Sequence, residues 1–95
     1  MGGYSEKIYY VVSATTRMAE FWYRDMLVRP EIQDKIIKVS NSNREIHLNN
    51  RLIFRFLSDV CYQKRSYPDS ECRRGIAERL TDGEFYEKLK KGEFK

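Results

Sequence analysis

The sequence predicts an α+β fold: a β-α-β-β-β order in one mostly antiparallel sheet, one helix packed on it, and two further helices toward the carboxyl end. Three stretches predict it. Residues 7 to 13, KIYYVVS, are a run of β-branched and aromatic residues. Residues 17 to 29, RMAEFWYRDMLVR, carry apolar side chains at helical spacing. Residues 44–48 and 51–57 are two strand-like runs on either side of Asn49-Asn50. At 95 residues the chain is one domain by its size. Its sheet and packed helix fall in residues 7–58 and a helical part in 59–95.

In the first strand Ile8, Tyr10 and Val12 point to one side, Tyr9 and Val11 to the other. Both sets are apolar, so the strand is expected at the centre of the sheet, covered on both faces. Ser13, Thr15 and Thr16 each offer a hydroxyl that can cap the helix that follows. Along 17–29, Arg17, Glu20 and Arg24 form a narrow polar stripe. Met18, Phe21, Trp22, Met26 and Leu27 form the broad apolar remainder expected to pack on the sheet. Pro30 ends this helix, because the residue before a proline is pushed out of the helical region. Ile36 to Ser40 reads as a second strand and Asn41-Ser42-Asn43 as a turn. The chain changes character from about Asp59. Pro68 interrupts it, and Asp69 or Ser70 caps a helix running to about Leu80. Thr81 with Glu84 then makes a capping box for a last helix carrying Phe85, Tyr86 and Leu89, closed by Gly92.

Asn49-Asn50 suits a two-residue hairpin loop, since both residues tolerate positive φ. Counting outward pairs 48 with 51, 46 with 53 and 44 with 55. One face then holds Arg44, Ile46, Leu48, Arg51, Ile53, Arg55 and Leu57. The other holds Glu45, His47, Leu52, Phe54 and Phe56, and is the better core face. On this register Arg44 stands directly opposite Arg55, an arrangement that like charges disfavour by a few tenths of a kcal/mol up to about 1. Solvation, an intervening carboxylate such as Glu20 or Glu71, or a bound anion would each relieve it.

Composition bounds the function classes. The chain is 41% apolar with five Phe, seven Tyr and one Trp, enough for a real core. Its net charge of +4 favours a polyanion or an acidic protein surface as partner. No apolar stretch approaches the roughly 18 residues of a membrane span, so no membrane partner is expected. The amino end lacks a charged-then-apolar leader pattern, and Glu6 spoils a myristoylation match. Cys61 and Cys72 lack C-x-x-C spacing, and with one histidine in the chain a four-ligand zinc site is not available. Two reduced thiols in a cytoplasmic protein are the expectation, with no cofactor and no metal.

The candidate binding residues are the hairpin arginines Arg44, Arg51 and Arg55, with Lys38 on the neighbouring strand and Lys64, Arg65, Arg73 and Arg74 further on. Tyr62 and Tyr67, interleaved with basic residues, are the candidates for stacking on bases. No catalytic set emerges. His47 stands on the face opposite the arginines, and neither a Ser/His/Asp nor a Cys/His arrangement follows from spacing. The expectation is a small, basic, non-catalytic binding protein that engages nucleic acid or an acidic protein. An accessory protein of a phage or virus, working on a host factor in the host cytoplasm, suits the size. A structural or homo-oligomer-forming domain with exposed aromatics at its interface is a further alternative.

Two families resemble parts of the chain. KIYYVVSATTRMAEFWYRDML followed by REIHLNNRLIFRFLSD, within residues 7 to 59, resembles the core of P-loop NTPases of the phage terminase and helicase kind. Ile46, Asn49, Asn50, Ile53, Phe54 and Arg55 match that family's "I-x-x-x-N-G-x-x-I-x-F-R" hairpin loosely. The chain has no G-x-x-x-x-G-K-[ST] loop to hold phosphates and no acidic pair closing an apolar strand. The resemblance therefore implies a relative without ATPase activity. The stretch REIHLNNRLIFRFLSD is also similar to the central hairpin of RelE/HigB-type toxins, small basic ribonucleases. That likeness implies messenger RNA as substrate, with Arg44, His47, Arg51 and Arg55 as site residues. The helical tail after residue 68 replaces that family's last strand.

Overall fold

The computed structural model describes residues 7–64 and 77–94. The elements are β1 (Lys7–Ser13), α1 (Thr16–Leu27), α2 (Pro30–Gln33), β2 (Ile36–Ser40), β3 (Glu45–Leu48), β4 (Leu52–Ser58), α3 (Asp59–Lys64), β5 (Ala77–Thr81) and α4 (Asp82–Lys90). The strands make one sheet in the order β2-β3-β4-β1-β5. The class is α+β, but the sheet is mixed. β3 runs antiparallel to both β2 and β4, whereas β1 lies parallel to β4 and to β5. A strand that is apolar on both sides belongs in such a parallel centre, because helices then cover it above and below.

The first face of the sheet carries the main core. Val11, Ile46, Leu48, Phe54, Phe56 and Leu80 lie there under Ala19, Tyr23 and Met26 of α1 and Phe85 and Leu89 of α4. Phe94 joins them from beyond α4, with its ring centroid 4.7 Å from that of Phe54. The second face carries a smaller cluster of Tyr10, Val12, Leu57 and Ala77, with Tyr62 of α3 packed against it. No helix among the described residues is long and apolar enough to cross a membrane.

Local chemistry explains most element ends. Thr15 is the residue of the three hydroxyl candidates that caps α1, accepting from the Met18 amide. The helix stops at Leu27, and Pro30 opens α2 at a position where its missing amide costs nothing. The buried stripe of α1 is Ala19, Tyr23 and Met26, whereas Met18 and Phe21, expected in the core, are exposed. Thr81 and Glu84 form the expected capping box. Gly92 turns with φ 73°, so that its amide reaches Leu89 O and the Glu93 amide reaches Lys88 O.

Residues 77–80 correct the expected helix: they form β5 on the open edge of β1. The pull of an unpaired central strand outweighs local helix preference there. The earlier part of that expected helix, from Asp69 or Ser70, lies outside the described residues.

Candidate functional site

The hairpin register differs from the two-residue-loop count by one position. Glu45 faces Arg55, Ile46 faces Phe54 and His47 faces Ile53. The loop has three residues. The Arg51 amide bonds to Leu48 O at 3.2 Å, and Arg51 then turns left-handed at φ 69°. That is a type I turn followed by a left-handed residue, the usual three-residue solution. The two asparagines are held by distant chain. The Asn49 amide donates to Lys35 O at 2.7 Å, and Asn50 Nδ2 donates to Phe94 O at 3.1 Å.

A one-residue slip re-sorts the faces. Leu52, Phe54 and Phe56 keep the core face expected of them, and Ile46 and Leu48, expected on the arginine face, join them there. Glu45 and His47 leave it for the second face, where Arg55 also lies. Arg44 does not stand opposite Arg55; a carboxylate does. The like-charge opposition expected from the shorter loop is thereby replaced by opposite charges at facing positions, Glu45 across from Arg55, an arrangement that cross-strand neighbours favour. On the same face His47 Nε2 lies 3.1 Å from Glu45 Oε1.

Registers on either side extend this into a row across the second face: Ser40, Glu45, Arg55, Tyr10 and Arg79, one from each strand. Tyr62 stands on Tyr10 with ring centroids 5.9 Å apart, and the Arg79 guanidinium lies over Tyr62 at 5.2 Å. Arg55 and Arg79 thus flank the Tyr10–Tyr62 pair. Such cation–ring contacts contribute about 0.5–1 kcal/mol where exposed.

Arg44 reaches the same region by another route. It ends the 41–44 turn with φ 50°, a left-handed backbone that arginine rarely adopts. Its carbonyl accepts from the Phe56 amide at 3.0 Å. A small cavity of about 50 Å³ opens beside it, lined by Ser42, Asn43, Arg44, Arg55, Phe56, Leu57 and the free thiol residue Cys61. Arg44 and Arg55 are therefore neighbours around one cavity, whose lining also includes Ser42 and Asn43.

The other candidates divide plainly. Lys38 is exposed on the edge strand opposite His47, on the second face. Arg51 is exposed at the far end of the hairpin, away from the cavity. Tyr62 belongs to the site, and Lys64 closes α3. Arg65, Tyr67, Arg73, Arg74 and Cys72 lie outside the described residues. Sequence reasoning missed Arg79, because 77–80 reads as helix, and missed Ser42 and Asn43, which read only as turn formers. No group of three or more His, Cys, Asp or Glu that could hold a metal occurs among the described residues. The chain matches no protein-family model, no curated protein and no solved structure.

Proposed function

We propose that the protein is a small basic binding protein whose ligand is an anionic polymer, nucleic acid before acidic protein, held on the second face of the sheet. One observation carries this reading: Arg44 and Arg55 line a single small cavity together with Ser42 and Asn43. Guanidinium groups bind phosphate oxygens through paired donors, and hydroxyl and amide groups complete such a contact. Arg79 and Tyr62 continue the surface with a cation and a ring, the pairing that single-stranded nucleic acid uses. Lys38 extends it toward the edge.

Titrating labelled single-stranded and duplex oligonucleotides at several salt concentrations tests the proposal. Affinity is expected to fall linearly on a log–log plot, by roughly 0.7 per phosphate contact for single strands and 0.9 for duplex. Arg44→Ala and Arg55→Ala are each expected to reduce that slope by about 1, whereas Arg51→Ala leaves it unchanged. Binding that ignores salt, or no binding at low salt, refutes the proposal.

A second reading, a small ribonuclease of the toxin kind, is favoured by one observation. Glu45, His47 and Arg55 share a face, with the imidazole held against a carboxylate. A carboxylate-oriented histidine beside an arginine is a general base next to an oxyanion stabiliser. Cleavage of a structureless RNA that His47→Ala abolishes, while binding survives, supports it. Intact RNA after prolonged incubation rejects it.

A further inference from the structure

We infer that the outward face of α1 is a self-association surface that seats a second copy of this chain, helix against antiparallel helix. Its groove shares no lining residue with the arginine cavity, so it stands apart from the binding proposal. α1 buries Ala19, Tyr23 and Met26, and the stripe opposite them holds Phe21 and Val28, seven residues and therefore about two turns apart. Phe21 is 53% exposed and Val28 67%. They share a shallow groove with Arg17, Glu20, Arg24 and Asp25.

The charges around the groove decide what covers it. Arg24 pairs with Glu20 and Asp25 with Arg29, so the patch is bordered by ion pairs rather than by a field of one sign and does not suit a polyanion. It does suit its own copy. In an antiparallel pair related by a two-fold axis, like flanks of the helices meet. With the axis at Trp22, Arg24 and Glu20 each lie two residues from the centre, on the same flank. Arg24 of each copy then faces Glu20 of the other, twice over. Phe21 of each copy lies one residue from the centre, so the two rings meet at the middle and water is excluded from both. Within one chain Glu20 and Arg24 already approach to 3.5 Å, so the pairs join into a four-charge network. The patch is one helix long, 12 residues or about 18 Å. That is below a standard interface, so the dimer is weak and dilution dissociates it.

Sedimentation equilibrium of the whole chain, from roughly 10 µM to 1 mM, reads this directly. A monomer–dimer equilibrium is expected, and Phe21→Ser should raise its dissociation constant roughly tenfold or more. Glu20→Arg should weaken the dimer by placing two arginines together, and Glu20→Arg with Arg24→Glu should restore it. Circular dichroism checks that each variant folds. If Phe21→Ser does not fold, the Glu20 and Arg24 variants decide alone. A monomer throughout, a dimer that Phe21→Ser leaves intact, or charge-swap variants that all behave alike overturns the inference.

Discussion

Arg51 offers the sharpest test of the hairpin, because two registers predict opposite signs for one comparison. In the observed three-residue loop Arg51 sits at φ 69°. A left-handed backbone costs an L-residue with a Cβ about 1–2 kcal/mol, and glycine avoids that cost. Glycine in turn loses about 0.5–1 kcal/mol more chain entropy than alanine on folding. Arg51→Gly and Arg51→Ala remove the same side chain, so whatever the arginine contacts cancels between them. The glycine variant is therefore expected to be more stable than the alanine variant by about 0.5–1 kcal/mol. In a domain of this size that separates their Tm values by about 2–8 °C. Had Arg51 been the first residue of a strand after a two-residue loop, alanine would be the better residue by a similar margin. Urea titrations of both variants, followed by circular dichroism, measure the difference. An alanine variant as stable as the glycine variant, or more stable, refutes the loop geometry and with it the placing of Glu45 opposite Arg55.

Other predictions follow from the core and the caps. Phe54 is fully buried among Tyr9, Phe85 and Phe94, so Phe54→Ala should cost about 3–5 kcal/mol in chemical denaturation. Thr81→Ala removes the acceptor of the Glu84 amide and should cost about 1 kcal/mol, whereas Thr81→Ser should be nearly silent. Tyr23 is buried, its hydroxyl donates to Asn41 Oδ1, and burial pushes its pKa above the ordinary 10.0, with Arg24 pulling weakly the other way. The folded state therefore holds this proton more tightly than the unfolded chain. The stability this gives is whole below pH 10 and is lost as pH rises through the folded-state value. Stability should fall more steeply above pH 10 in the parent protein than in Tyr23→Phe; parallel curves contradict this.

Much of the fold was legible in short stretches. The two-sided apolar run of β1 announced a central strand, and the spacing of 17–29 announced a helix. Asn41 to Asn43 announced a turn, and Thr81 with Glu84 and Gly92 bounded the last helix. The arginines were legible as charge, and the unbroken Leu52, Phe54 and Phe56 as a core face. The site as an arrangement was not legible. Asn49-Asn50 reads equally well as a whole two-residue loop or as the first part of a three-residue one. The choice rests on contacts from Lys35 and Phe94, far away in the chain. That single position moved Glu45 and His47 to the arginine face and put a carboxylate where an arginine was expected.

The sequence by itself determined the features whose cause is local: hydrophobic period, helix caps, turn formers and net charge. Tertiary structure alone decided which strands pair and with what polarity, whether 77–81 is strand or helix, and which side chains share the second face. The physical reason is the same in each case. A strand satisfies its backbone with partners distant in sequence, and a pleat of period two turns a one-residue slip into a change of face. Arg55 and Arg79 flank Tyr10 only because β1 lies between β4 and β5.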